Sequence, residues 1–298
     1  MRKRSLVLLG MMLICVFLSA GAFAEWLPDA SLWRTVDGST ATIPLTEAMA
    51  SYFGQADNAP YHETTPRAYD YLCNNTPYNT TDLLFVTIPA AEDFAIAREA
   101  GVELEVIPVV REGIVFINNT ANPADSLTAE ELRSIYAGVI TNWKEVGGLD
   151  AHIAAYQRDV RSGSQTVFLQ ALMGDVQPVQ PEKALVIETM GTLIDQVAGY
   201  DNAPNALGYT MYYYIANMYS APTIRVLSVD GIVPSTETIA TGEYPLCTTY
   251  CAVLRADTPE DHPARQLLAW LQSEEGQAVT RSAGYLPLRA FAEEGATR

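Results

Sequence analysis

Segment 158–166 (RDVRSGSQT) constrains the fold more than any other part of this 298-residue chain. A strand-like run, His152 to Tyr156, precedes it, and a helix-like run, Val167 to Met173, follows it. A helix start offers unpaired N–H donors and a partial positive charge, both of which favour an anion. Arg158 adds a planar, permanently charged fork. The segment therefore predicts either an anion site or an ordinary helix cap flanked by solvated arginines.

The N-terminus has the residue order of a secretory signal peptide. Three basic residues (2–4) precede an apolar run from Leu6 to Leu18 and the small-residue site Ala22-Phe23-Ala24. This order predicts a signal peptide over residues 1–24, since the apolar run is short for a membrane span. Ile14 fits poorly before Cys15 as a lipoprotein site, so lipid attachment is the lesser alternative. We expect an exported protein, periplasmic or at the cell surface.

The charge balance disfavours several classes of partner. Removal of residues 1–24 leaves 15 Lys+Arg against 35 Asp+Glu, a formal net charge of −20. Nucleic acid and anionic membrane surfaces repel such a chain. A small anion is still permitted, because distant surface charge is screened within about 8–10 Å.

Cysteine and histidine spacing indicates structural rather than metal-binding roles. Cys247 and Cys251 lie in one strand-like run, which would place their Cα atoms about 13 Å apart, beyond disulfide reach. A disulfide between Cys73 and one of them stays open. The three histidines are scattered along the chain, so we expect no metal and no cofactor.

Strand-like and helix-like runs alternate along the whole chain. The predicted strands include Leu32–Val36, Asp82–Thr87, Val102–Val110, Gly113–Asn118 and Ala206–Tyr209. The predicted helices include Leu45–Phe53, a helix capped by Thr65 with Pro66 at its first position, Glu92–Ala100, a helix from the capping box at Thr128 to Tyr136, and Met190–Val197. This alternation predicts an α/β protein whose ligands bind at the carboxyl ends of strands.

Three segments carry the landmarks of a known family. They are Asp37-Gly38-Ser39-Thr40, the run from Tyr136 through Thr141-Asn142-Trp143-Lys144-Glu145-Val146-Gly147-Gly148, and Arg158 followed by Ser162-Gly163-Ser164. With Ala206-Leu207-Gly208-Tyr209 and the C-terminal Leu268–Leu288 pattern, the chain resembles the phosphate-binding proteins of ABC importers over roughly residues 32–289. These belong to the type II periplasmic-binding-protein superfamily.

The resemblance implies a two-lobed α/β fold, each lobe a mixed sheet flanked by helices, with a two-strand hinge. One lobe would comprise residues 25–115 plus 246–298 and the other residues 116–245. The implied role is non-catalytic: a monomer that captures phosphate or a similar oxyanion and delivers it to ABC permease subunits.

The resemblance also assigns the binding residues. Phosphate would contact one group of residues from both lobes, namely Ser39, Thr40, Thr65, Arg158, Ser162, Gly163 and Ser164. Further contacts are possible from Asp37, Gly38, Thr87, Gln165 and Thr166. We expect Arg67 and Arg161 to be solvated.

One departure from the family pattern concerns selectivity. Family members often carry an aspartate after the second strand, which accepts the proton of hydrogen phosphate, whereas this chain has Thr87 there. Discrimination against sulfate is therefore open. Asp37 could substitute, although an aspartate before a glycine turn is more often a backbone cap.

Two other functions fit the same sequence less well. A secreted phosphatase or hydrolase would need a nucleophile elbow, clustered histidines or metal-ligand spacing, and the sequence shows none of these motifs. A sensory or surface module on the same fold is not separable from a transport receptor by sequence.

Overall fold

The structure is a computed structural model that describes residues 26–74, 80–199, 203–219 and 221–288, so the predicted signal peptide lies outside the described residues. The helices are α1 Ala30–Trp33, α2 Ile43–Tyr52, α3 Thr65–Cys73, α4 Ala91–Glu99, α5 Ala129–Tyr136, α6 Gly163–Phe168, α7 Met190–Ala198, α8 Thr236–Thr241, α9 Pro263–Leu271 and α10 Glu274–Ser282. The strands are β1 Val36–Gly38, β2 Leu83–Thr87, β3 Leu104–Asn119, β4 Ser126–Leu127, β5 Ala154–Ala155, β6 Gln157–Arg158, β7 Val186–Ile187, β8 Ala206–Met211, β9 Ile224–Val226, β10 Ser228–Val229, β11 Cys247–Arg255 and β12 Leu286–Pro287.

One long strand organises both halves of the molecule. The main sheet has the order β1-β2-β11-β3-β8-β5, with β9 and β12 also paired to β3. From Leu104 to Gly113, β3 pairs with β11, and from Ile114 to Asn118 it pairs with β8. We call the half built on β1, β2 and β11 the first lobe and the half built on β8, β9 and β5 the second lobe. The fold is the mixed α/β, two-lobed arrangement expected from the resemblance.

The predicted pair of strands at 102–110 and 113–118 is wrong, because β3 is continuous. Glu112 lies between the two predicted strands, but it is buried and its Oε1 accepts the N–H groups of Gly113 (2.8 Å) and Tyr213 (3.2 Å). The chain passes between the two lobes at β3 and again close beside it, near residues 244–246. There, Ile114 N–H donates to Leu246 O (3.0 Å) and the Tyr244 hydroxyl donates to Ile114 O (2.9 Å).

The predicted first strand is also displaced. Residues Ala30–Trp33 form a short helix, because the Asp29 carboxylate accepts the Ser31 N–H at 2.7 Å and caps it. The strand begins only at Val36, and its parallel partner is β2. The remaining differences are smaller: only Ala154–Ala155 of the predicted 152–156 strand pair with β8, and the helix predicted from Val167 begins at Gly163.

The cysteines carry no disulfide in the described part of the chain. Cys73, Cys247 and Cys251 are all free thiols, so the pairing left open for Cys73 does not occur. Cys247 and Cys251 lie along β11, as the strand prediction requires. Burial raises the pKa of each thiol above its ordinary value, which favours the neutral form.

Candidate functional site

A cavity of about 380 Å³ lies between the two lobes. First-lobe residues Ser39, Thr40 and Thr65 line it together with Thr87 at the end of β2. Second-lobe residues complete the lining on the opposite side, namely Arg158, Ser162, Gly163 and Ser164. All seven principal residues singled out from the sequence therefore share one cavity, together with Thr87.

Three helix starts meet at this cavity, and none is capped by its own side chain. Ser39, Thr64 and Ser162 are the N-cap residues, and none of their hydroxyls accepts a helix N–H. Elsewhere Thr128 and Ser235 do cap their helices, at 3.1 Å from the Glu131 and Thr238 nitrogens respectively. The first N–H groups at the cavity are thus left without side-chain acceptors, which makes the lining rich in donors.

The prediction that Thr65 is an N-cap is wrong by one residue. Thr65 is the first residue of α3, Thr64 holds the N-cap position, and Pro66 follows where its missing N–H removes no helix bond. The shift moves the Thr65 hydroxyl from a capping role to the cavity wall, where the residue is buried.

The turn before α6 brings two serines close to Arg158. The Oγ atoms of Ser162 and Ser164 lie 3.2 Å apart, and Arg158 Nη1 donates to Ser164 Oγ at 3.3 Å. The first backbone bond of this helix is Thr166 N–H to Ser162 O at 3.0 Å, so the N–H groups of Gly163 and Ser164 precede it. An ordinary solvated cap does not explain two buried serines arranged in this way.

Arg158 is held in place without a counter-ion. Its Nε donates to Ile187 O at 2.9 Å and its Nη2 donates to Glu188 O at 2.8 Å. Among the described residues, no carboxylate lies within ion-pair distance of its guanidinium. Burial lowers the pKa of Arg158 from its ordinary value, although an arginine stays charged at neutral pH. The guanidinium of Arg158 is thus free of a direct ion pair in the described residues, although Asp159 and Glu188 also line the cavity.

His62 supports the first-lobe side of the cavity from behind. Its Nδ1 lies 2.8 Å from Ser39 O, and its Nε2 lies 3.0 Å from Thr46 Oγ1. Burial lowers the pKa of His62 to about 4, so the ring is neutral at physiological pH. Thr42 reinforces the same turn by donating to Phe85 O at 2.6 Å.

Four of the possible contacts do not line the cavity. Asp37 is a backbone cap, since its Oδ1 accepts the N–H groups of Gly38 (2.6 Å) and Glu63 (3.1 Å). Gly38 is needed for packing, because a Cβ there would lie 2.3 Å from Phe85 O. Gln165 accepts from Arg158 N–H at 3.0 Å and from the Tyr209 hydroxyl. Thr166 donates to Ser162 O at 3.3 Å.

Several lining residues carry no signal in the sequence. Tyr250, Met211, Met190 and Glu188 reach the cavity from β11, the end of β8, the start of α7 and the loop before it. Their positions in the cavity depend on how segments far apart in the chain pack together. Met211 alone has a hint in the sequence, because ligands bind at the carboxyl ends of strands. Next to the cavity, the Tyr213 ring of the second lobe stacks on first-lobe Tyr285 with centroids 3.7 Å apart.

The expectation of two solvated arginines holds only for Arg67. Arg67 is exposed and pairs with Glu63 on its own lobe at 3.3 Å. Arg161 instead crosses to the first lobe and pairs with Asp70 and Asp93, so its prediction is wrong. The two carboxylates lie 91 and 68 positions earlier in the chain, and no local pattern identifies them.

The described residues contain neither a metal-binding cluster nor a membrane-spanning helix. No group of three or more His, Cys, Asp or Glu is arranged to hold a metal ion. In the same part of the chain, no helix combines the length and the apolar character needed to cross a bilayer.

The fold and cleft define a periplasmic-binding-protein architecture. The family model described as the PBP superfamily domain matches residues 29–275, and the chain belongs to this family. Among curated relatives, the phosphate-binding protein PstS of Bacillus subtilis (strain 168) is 25% identical over 304 residues, covering 97% of this chain and 95% of the relative. The PstS of Borreliella burgdorferi is 24% identical, covering 86% and 90%.

Solved structures show the same fold. A Clostridium perfringens protein solved with bound phosphate superposes with a TM-score of 0.66 at 23% identity, covering 85% of this chain and 98% of that one. An ABC-type phosphate transport receptor from Vibrio cholerae has a TM-score of 0.62 at 22% identity, with the same two coverages.

Proposed function

We propose that this protein is an extracytoplasmic solute-binding protein that captures inorganic phosphate, or a similar tetrahedral oxyanion, and delivers it to an ABC importer. The observation that carries the proposal is the guanidinium of Arg158, which has no direct ion pair in the described residues and shares one cavity with hydroxyls and helix starts from both lobes. A multivalent anion replaces the missing counter-ion and gives these donors an acceptor.

The binding roles divide between the lobes. Ser39, Thr40 and Thr65 donate from the first lobe, with Thr87 beside them. Arg158, Ser162, Gly163 and Ser164 donate from the second lobe. Because an oxyanion of this size needs both sets at once, its binding favours closure of the cleft.

The lobes in this proposal span residues 25–115 plus 246–298 and residues 116–245. The change of pairing partner along β3 at Gly113 and Ile114 supports the first crossing. The contact between Ile114 and Leu246 supports the second. Bending at these two adjacent crossings would open the cleft without disturbing either half of the sheet.

The relatives support the choice of ligand and the transport role. The B. subtilis and B. burgdorferi proteins are named for phosphate binding, and the V. cholerae receptor is named for ABC-type phosphate transport. We infer by analogy a non-catalytic, exported monomer that docks on ABC permease subunits.

Titration calorimetry tests the proposal directly. The chain without residues 1–24 is unfolded in guanidinium, dialysed free of bound anions, refolded and titrated with phosphate at neutral pH. We expect the wild type to bind one phosphate per chain and the Arg158→Ala variant to bind it more weakly. Absence of phosphate binding at millimolar concentration would refute the phosphate assignment. In a parallel assay we expect no turnover of an aryl phosphate, and turnover lost in Ser164→Ala would indicate a hydrolase.

A further inference from the structure

Arg161 forms a cation-centred bridge across the cleft that is separate from the ligand cavity. Its Nη2 lies 2.8 Å from Asp70 Oδ1 and 3.0 Å from Asp93 Oδ1. Its Nε lies 3.2 Å from Asp93 Oδ1, and its Nη1 lies 3.3 Å from Asp70 Oδ2. One second-lobe guanidinium therefore satisfies two first-lobe carboxylates.

The first-lobe partners are held firmly by their own helices. Asp93 is at the third position of α4, where its Oδ2 accepts the Ala90 N–H at 2.9 Å. Asp70 is in α3, the helix that begins at the cavity residue Thr65. Arg161 also donates to Pro66 O, in the first turn of α3, at 3.1 Å. The bridge thus anchors the second lobe to both α3 and α4 of the first lobe.

Burial makes the bridge dependent on closure. The side chain of Asp93 is 1% exposed, that of Arg161 is 21% exposed and that of Asp70 is 42% exposed. A carboxylate buried to this degree needs its partner, whereas the same groups become hydrated if the lobes separate. The bridge therefore exists only when the lobes are together.

The position of Arg161 links the bridge to the binding turn. It directly precedes Ser162, and its own N–H donates to Asp159 Oδ1 at 3.1 Å within the same turn. Arg161 does not line the cavity, unlike Arg158 three residues before it. In this turn, Arg158 therefore lines the cavity and Arg161 contacts the opposite lobe.

We propose that Arg161, Asp70 and Asp93 form an interlobe clasp, which favours the closed arrangement of the empty protein and holds the Ser162–Ser164 turn in its binding position. Arg161 is a positioning residue in this scheme. The clasp already shifts the empty protein toward the closed arrangement. Ligand binding therefore has to increase the closed population by a smaller amount. The clasp does not depend on which oxyanion the cavity binds.

Small-angle X-ray scattering of the anion-free protein tests the clasp without a ligand. We expect the wild type to have nearly the same radius of gyration with and without saturating phosphate at low salt. Arg161→Ala should be larger without phosphate and contract when phosphate is added. Raising the salt to about 1 M should expand the wild type in part but not the variant, because salt screens the pair with the more exposed Asp70 and acts much less on the pair with buried Asp93.

Two variants keep the test specific. Arg67→Ala removes the same charge from an exposed arginine whose partner Glu63 lies on the same lobe, so its scattering should match the wild type. Asp70→Asn removes the more exposed carboxylate and should expand the empty protein even if Arg161→Ala fails to fold. Unchanged dimensions in all clasp variants, with normal thermal unfolding, would overturn the proposal.

Phosphate calorimetry separates this proposal from the functional one. Arg161→Ala should lower the apparent affinity roughly 10- to 100-fold, mainly through faster release. Adding Asp70→Asn to Arg161→Ala should cause little further loss, since both act on one contact. If Arg161→Ala expands but the protein binds no phosphate, the phosphate assignment is refuted and the clasp proposal stands. If Arg161→Ala changes neither phosphate binding nor the dimensions of the protein, the clasp proposal is refuted and the phosphate assignment stands.

Discussion

The Oγ1 atom of Thr87 lies 2.5 Å from the point that a Cβ atom on Gly163 would occupy. Thr65 Oγ1 lies 3.1 Å from the same point. The helix start of the second lobe therefore touches the hydroxyl groups of the first lobe, and only a glycine permits this approach. The Thr87 hydroxyl is buried and has no hydrogen-bond partner in the described structure. This contact between Gly163 and Thr87 is where closure of the cleft is most sensitive to side-chain size.

Gly163→Ala should therefore weaken phosphate binding by about 1–3 kcal/mol, the range for overpacking a tight contact. The added methyl group meets the opposite lobe only when the cleft closes, so we expect little change in thermal stability. Titration calorimetry measures the effect. The double variant Gly163→Ala/Thr87→Ala should recover part of the affinity, and a failure to recover any would show that the loss arises elsewhere.

Arg158→Ala should weaken phosphate binding by about 2–4 kcal/mol, because it removes one partner of a desolvated charged contact. Arg158→Lys keeps the charge but loses the planar fork, so its affinity should lie between those of the wild type and Arg158→Ala. Calorimetry at constant salt gives both values, with Arg67→Ala as the control for a general loss of positive charge. An affinity unchanged in Arg158→Ala would contradict the proposed site.

Thr87 offers a test of selectivity. The first-lobe polar side chains at the cavity are hydroxyls, which donate to a bare oxygen as readily as they accept from a protonated one. We expect sulfate, which has no proton at neutral pH, to compete measurably with phosphate. Thr87→Asp introduces an acceptor-only group and should reduce sulfate competition at least about tenfold relative to the neutral Thr87→Asn. Sulfate that fails to compete with the wild type even at large excess would refute the expectation.

His62 should make stability depend on acid pH. Its native pKa of about 4 lies below the ordinary value of 6.5, so below pH 6.5 the unfolded chain binds a proton that the native ring refuses. Stability is present above this pH and is lost as the pH falls toward 4, by about 2 kcal/mol between pH 7 and pH 5. Urea unfolding at the two pH values measures the loss. His62→Gln should lessen it, whereas the exposed His152→Gln should not.

Glu112 should act in the opposite direction at higher pH. Burial raises its pKa from 4.5 to about 8, so the native state holds a proton that the unfolded chain releases. Its contribution is full below pH 4.5 and declines as the pH rises toward 8, by about 2 kcal/mol from pH 6 to pH 8. Glu112→Gln mimics the protonated form and should flatten this part of the profile in urea unfolding. Exposed Glu103→Gln serves as the control, and an equal slope in both variants would rule out Glu112 as the source.

Much of the fold was readable from local patterns. The strand at Leu83–Thr87, the capping box at Thr128 and the helix beginning at Met190 appear where the residues predict them. The predictions for β3 and for Arg161 failed because each polar side chain has a partner that local sequence does not reveal. Glu112 lies between the two predicted strands 102–110 and 113–118, yet it accepts an N–H group from Tyr213, about a hundred residues away, and β3 continues through it.

Local sequence was enough to place the strand-to-helix turns and their residue types, because capping, turn chemistry and periodicity act over a few residues. Tertiary structure alone decided that Ser39, Thr65 and Ser162 share one cavity, that Arg158 is left without a counter-ion there and that Arg161 reaches Asp70 and Asp93. These relationships join segments tens of residues apart. Their energies come from burial and from the juxtaposition of charges, which exist only once the two lobes have folded and met.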